Sequence, residues 1–386
     1  MSAYFQMGHD TENLIGETDL NEFKGIILSP VNRTPDDLRR NIPVFRETGD
    51  FDIIFDCQLY FPKSNREKLN QHPYFPSDLD TADISSKSWW NKIVDSLNNY
   101  AEMMDVNGIT SPVVFPKVWN DDYYSRCAEV SNNSQEKSSK LGINTWSTLM
   151  VNLSQLADEN IALRIASIIS NADCFGYYLV FYSDQEPRRE FASYEDLFGS
   201  MLLIKELKNT QKPVIISFCS SDMILFKAAG ADHCASGKFF NLRRFTTSRW
   251  KEPAEGGGVL SYWFEHSLLA FIREADVLRL LREGYDYLVQ QGYSNNYWST
   301  RILKQFEEEP GRPWLGLSWR QYLSWFAKTE NDLFKVSNLE KIKDWLKSAE
   351  ENWLKLEDEE ILLEEPRNNG SWIRPWRQAI AKFSNY

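Results

Sequence analysis

Histidine is scarce in this chain: there are four, far apart, and the five cysteines at 57, 127, 174, 219 and 234 show no CxxC spacing. A structural zinc site needs closely spaced thiol or imidazole ligands, so none is expected, nor is the HExxH centre of a metallohydrolase. GxxxxGK[ST] and GxSxG are both missing, which removes the P-loop and the α/β-hydrolase readings. No apolar run reaches the roughly 18–20 residues of a membrane span. The segment Met1 to Asn13 lacks the basic start and apolar core of a secretory signal. With scattered thiols, that predicts a reduced, cytoplasmic chain with no membrane contact, no cofactor and no metal. Positive charge is also in deficit, with 43 Lys and Arg against 55 Asp and Glu and a net charge of −12. Contact with nucleic acid would therefore need a local basic patch.

What is present is aromatic: 14 Trp, 17 Tyr and 23 Phe in 386 residues. Short apolar runs alternate with amphipathic stretches. The runs are 25–31, 51–56, 109–115, 147–153, 174–183, 213–219, the weaker 231–236, and 259–265. They are rich in β-branched and aromatic residues without clean alternation, as strands buried on both faces are. Helical spacing fills the gaps, as in Trp90, Ile93, Val94, Leu97 and Ala101. Thr34-Pro35 reads as an N-cap with proline at the first helical position. Eight strands alternating with helices match a (β/α)8 TIM barrel. A doubly wound sheet is the alternative, with no GxGxxG to support it. The expected organisation is an N-terminal extension at 1–22, a barrel at 23–266 and a C-terminal helical appendage at 267–386.

Barrel sites lie at the C-terminal ends of the strands. There the sequence places Asp56, Gln58 and Tyr60, then Asn152, then Tyr182 and Asp184, then Ser220, then Lys238. A carboxylate ending an apolar strand suits acid–base work, or it orders a loop. Lys238, Arg243, Arg244 and Arg249 are interleaved with Phe239, Phe240, Phe245 and Trp250, a composition suited to phosphate contact and base stacking. The same cations could instead pair with acids. Gly256 to Gly258 reads as a flexible loop or a backbone cradle for phosphate. Trp263 is a further stacking candidate. The segment Arg367 to Gln378, with Trp372 and Trp376, reads as docking the tail.

Two stretches resemble the tRNA-guanine transglycosylase superfamily of barrels. Ile54-Phe55-Asp56-Cys57-Gln58 is similar to that family's strand ending in Asp-Ser-Gly-Gly-Phe-Gln. Lys212-Pro213 through Gly230-Ala231-Asp232-His233-Cys234 is similar to its Lys-Pro strand, helix and Gly-Ile-Asp strand. The resemblance implies a barrel that exchanges a purine for a 7-deazaguanine base, with Asp56 at the base, and points to bacterial antiphage operons. The sequence departs from the pattern where the nucleophilic Asp would fall, near Ala235, and where the CxCxxC…H zinc site would be. Cys57-Gln58 also replaces a Gly-Gly. Two readings follow. In one, Asp56 acts with Asp184 or Asp232 as a catalytic pair, since glycosidic chemistry wants two carboxylates at one bond. In the other, the barrel binds without reacting. In both, a purine or deazapurine ligand, RNA or DNA included, meets Gln58, Tyr60, Asn152, Tyr182, Ser220, Lys238, Arg243, Arg244 and Trp263. The helical tail is the expected surface for a protein partner.

Overall fold

The structure is a computed structural model describing residues 1–17, 20–77, 79–251, 260–285, 288–289, 296–335, 339–364 and 369–386. The Gly256–Gly258 triplet, Val259 and Arg367 lie outside the described residues. Eight parallel strands close into a barrel: β1 Tyr4–Gln6, β2 Gly25–Leu28, β3 Asp52–Phe55, β4 Gly108–Thr110, β5 Asn144–Asn152, β6 Gly176–Tyr182, β7 Val214–Ser217 and β8 His233–Ser236. This is a TIM barrel followed by C-terminal helices.

Two boundaries differ from the expected ones. Segment 1–22 is not an extension, because Tyr4 pairs with Gly25 on one side and Ala235 on the other, so β1 closes the ring. A three-residue strand carries no period of its own; pairing on both edges makes it a strand. The run 259–265 is not the eighth barrel strand. Its described end, Trp263–Glu265, pairs antiparallel with Ala270–Ile272 in a separate hairpin.

Outer helices follow the strands. Helix α1, Pro35–Thr48, opens on a Thr34–Asp37 capping box, which satisfies two otherwise orphaned N–H groups. Helices α2 Glu67–Asn70, α3 Lys87–Glu102, α4 Asp121–Ser138, α5 Glu159–Ile169, α6 Tyr194–Lys208 and α7 Met223–Ala228 continue around the ring. In α6, Gly199 lies against the turn Leu153–Ala157, and an added Cβ would sit 1.8 Å from the Leu156 carbonyl oxygen. Gly199→Ala is expected to cost about 3 kcal/mol by overpacking. Denaturant unfolding tests this, and a loss under about 1 kcal/mol would show that helix and turn move apart freely.

The eighth outer position is taken by a helix distant in sequence, Leu315–Lys335. Tyr322 and Ser236 hydroxyls meet at 2.8 Å near the end of β8. At the other end Glu330 accepts from the Cys234 N–H at 3.2 Å and from Lys227 at 3.0 Å, while the Ser2 N–H donates to Asn331 at 2.5 Å. The helix thus runs antiparallel to the strands, as a barrel helix does. The Glu330–Lys227 pair is buried and hydrogen-bonded, which offsets its desolvation. The last helices, Leu339–Asp358 and Ile373–Ser384, dock through indole N–H groups. Trp353 donates to the Leu268 carbonyl at 2.9 Å and Trp376 to the Phe191 carbonyl at 2.7 Å. Among the described residues no helix is long and apolar enough to cross a membrane.

Candidate functional site

The strand ends converge on Asp56. Its carboxylate is fully buried and accepts from five donors. These are the Gln58 backbone N–H and side-chain amide, both at 3.1 Å, Tyr60 at 3.1 Å, Thr110 at 3.2 Å and Tyr178 at 3.0 Å. Burial pushes its pKa up, and the hydrogen bonds oppose that shift without cancelling it. The clamp holds Gln58 at φ 48°, left-handed backbone that costs a non-glycine residue about 1–3 kcal/mol. Gln58 also accepts from Ser29 at 3.0 Å, and Ser29 accepts from Arg249 at 2.7 Å. Arg249 is buried too, and desolvation lowers its pKa to about 10, so it stays charged at neutral pH.

An aromatic layer seals this cluster. Phe245 lies 5.6 Å from Tyr60, 5.5 Å from Phe218 and 5.0 Å from Trp250, ring centre to ring centre. Asp56 and Gln58 are therefore buried beneath the barrel mouth, not displayed on its rim. Asp184 is on the rim, exposed, accepting from the Tyr182 hydroxyl. Tyr182 is four residues beyond Tyr178 on β6, about 13 Å along the strand. Phe115 and Phe245, the latter from that layer, pack against the Tyr182 ring at 4.8 and 6.2 Å. Asp56 and Asp184 do not flank a common point. Asp232 precedes β8, at the opposite end of the barrel, where it accepts from Lys208 and the Val214 N–H, both at 2.7 Å. The structure brings none of the three carboxylates together.

The basic loop after β8 is scaffold. Arg243 is buried over the Tyr322 ring at 3.7 Å and donates to the carbonyls of Gly237 and Lys238 at 3.0 and 2.9 Å. Arg244 is buried over Phe191 at 3.7 Å, between Glu190 at 2.9 Å and Asp222 at 3.4 Å. Lys238 donates to the Asp10 carbonyl at 2.8 Å and lies over Trp319. With barrel, N-terminal segment and C-terminal helices all converging there, these cations hold chain rather than face solvent. Trp263 is buried in the hairpin, bonded to Glu265 at 2.9 Å. Asn152 caps the 153–157 turn through Ser154 at 3.2 Å, and the Ser220 N–H donates to Asp222 at 2.8 Å.

The open site is elsewhere on the rim. A cavity of about 670 Å³ lies between the loops after β3 and β4. Its rings are Tyr60, Phe61, Trp90, Phe115, Tyr123 and Trp250, and its cations Lys63, Lys117, Arg126 and Lys251, with Asp122 the acidic side chain in the lining. Among the described residues the three lysines form no ion pair, and the buried Trp250 indole N–H has no partner. Two copies of Phe-Pro-Lys build the walls, 61–63 and 115–117, with Phe61 and Phe115 stacked at 5.1 Å. Each proline holds its preceding phenylalanine extended, so the jaws are stiff. Of this cavity the sequence reading reached Tyr60 and Trp250. The repeated tripeptide was the available signal, too short to stand out as a repeat. Tyr60 connects the two levels: its ring lines the cavity and its hydroxyl donates to Asp56. Chemically, the cavity suits a planar, negatively charged ligand. Among the described residues no three His, Cys, Asp or Glu side chains gather as a metal site.

No family model and no curated protein sequence matches this chain. Among solved structures it is similar to deoxyribose phosphate aldolase from Aeropyrum pernix, at 13% identity and TM-score 0.36 over 61% of this chain and 84% of that one. It is also similar to tryptophan synthase subunit alpha from Legionella pneumophila str. Paris, at 11% identity and TM-score 0.34 over 86% of this chain and 92% of that one. Likeness at this level carries nothing about substrate or reaction.

Proposed function

We propose that this barrel binds a purine-type nucleotide, or a nucleic-acid base with its phosphate, in the cavity between the two Phe-Pro-Lys jaws. The observation that carries the reading is three lysines, without an ion pair among the described residues, around an aromatic cavity in a chain of net charge −12. Rings offer a sequence-tolerant stacking surface for a base, and lysines offer point charges to phosphate. The resemblance to tRNA-guanine transglycosylases supports the same ligand class, deazapurines included, and adds a role in bacterial antiviral defence. Phage plating on cells carrying the intact or deleted gene tests that part.

Binding without chemistry is the reading favoured here, because Asp56 is sealed beneath the ring layer and neither Asp184 nor Asp232 stands beside it. Base exchange would need Tyr60 to swing away from Asp56. Calorimetric titration with guanosine monophosphate and with 7-deazaguanine tests the proposal. The nucleotide is expected to bind, less tightly at higher salt. Lys63→Glu with Lys117→Glu is expected to weaken it by more than about ten-fold, since charge-assisted hydrogen bonds contribute roughly 1.5–3 kcal/mol each. Absence of binding by both probes, or binding indifferent to the double substitution, would place the site elsewhere.

A further inference from the structure

The jaw cavity has a neighbour on its outer side. Trp90, Arg126 and Val130 also line a second cavity of about 470 Å³ between α3 and α4. Together the two exceed about 1,000 Å³, the upper end for a pocket holding one small molecule. Their chemistry differs. Among the described residues the jaw lysines form no ion pair, whereas the outer cavity balances Lys87 and Arg126 against Glu129 and Glu136. Its distinctive feature is a pair of amides: Asn133 donates to Asn91 at 2.9 Å. That bond leaves the Asn91 N–H and the Asn133 carbonyl oxygen with no protein partner among the described residues, a donor beside an acceptor. Such a donor–acceptor pair matches the O6 acceptor and N1–H donor on the Watson–Crick edge of guanine. Arg126 stands on the wall common to both cavities. Its existing contacts are weak, 3.5 Å to the Ser85 carbonyl and 3.9 Å to Glu129, so its guanidinium has donors to spare.

From this we infer that the site takes a dinucleotide unit. One base stacks in the jaws, the linking phosphate lies at Arg126, and the second base is read by Asn91 and Asn133. The inference rests on the nucleotide reading of the jaws and adds the length of the ligand to it.

Calorimetry at about 0.3 M salt, where gains from charge alone are screened, tests it with three probes: guanosine 5′-monophosphate, the 5′-phosphorylated, 3′,5′-linked dinucleotide GpG and a 5′-phosphorylated tetranucleotide RNA. GpG is expected to bind more than about ten-fold tighter than the mononucleotide, because it adds one stacked or edge-read base. The tetranucleotide should stay within about three-fold of GpG. Asn91→Ala with Asn133→Ala should abolish the gain and leave mononucleotide affinity unchanged, which also reports that the variant is folded. Arg126→Gln should reduce GpG binding more than mononucleotide binding. Equal affinity for one and two nucleotides, or a gain that survives the asparagine substitutions, overturns the inference while the jaws stand. A much larger gain with the tetranucleotide overturns the two-nucleotide limit. Failure of all three probes to bind removes the nucleotide reading itself.

Discussion

Replacing Arg244 by alanine is expected to destabilise the fold by about 3–5 kcal/mol, the usual consequence of removing one partner of a buried ion pair. Arg244 is 2% exposed and is the shared cation of Glu190 and Asp222, themselves 7% and 2% exposed. Its loss strands two carboxylates in a low-dielectric interior. The pH dependence carries a definite sign. Burial raises the Glu190 pKa to about 7 even with Arg244 present, and raises that of Asp222 as well. A carboxyl with a raised folded pKa contributes stability that is fully present below its unfolded value and lost as pH rises through the folded one. For Glu190 that window runs from the unfolded value of about 4.3 to about 7. Without the guanidinium both carboxyls would hold their protons to higher pH, so the deficit of Arg244→Ala should be smaller at pH 5 than at pH 7.5. Urea unfolding of both proteins at the two pH values measures it. A deficit below about 1 kcal/mol at pH 7.5, or one that grows toward pH 5, contradicts the buried-triad account.

Trp250→Ala should act on both levels of the site. Trp250 is 3% exposed and packs on Tyr60 at 5.3 Å and Phe245 at 5.0 Å, while its carbonyl accepts from Ser64 at 2.6 Å. Truncation opens a cavity in the layer above Asp56 and should cost about 3–5 kcal/mol. It also removes a ring from the cavity lining, so mononucleotide binding should fall with stability. Trp250→Phe separates the two effects. It keeps a ring and deletes an indole N–H that no group among the described residues satisfies, so it should cost clearly less stability than Trp250→Ala while binding still weakens. Thermal unfolding alongside calorimetry decides it. Full binding by Trp250→Phe would show that the N–H does not meet the ligand.

The aromatic layer explains why the most suggestive strand end, Asp56, is not the open part of the site. In a barrel, a residue's depth depends on what the other strands' loops place above it. Phe245 and Trp250 come from a segment nearly two hundred residues later. The same applies to Arg243 and Arg244. Composition reads them as cations near a rim, but whether they face ligand or chain depends on Tyr322, Phe191, Glu190 and Asp222, all distant in sequence.

The sequence by itself determined the barrel class, because parallel strands buried on both faces leave continuous apolar runs and their helices leave a 3.6-residue period. Both are local signals. It also pointed to docking of the tail around Trp372 and Trp376 onto the body, and the Trp376 hydrogen bond to the Phe191 carbonyl agrees. The tertiary structure alone decided which three residues close the ring at β1, that Leu315–Lys335 supplies the eighth outer helix, which cations are satisfied internally, and that two Phe-Pro-Lys turns face each other across a cavity. The long-range pairings behind these join segments from about 20 to more than 300 residues apart. Such pairings are set by the closure of the barrel and the burial it forces, and no local period encodes them.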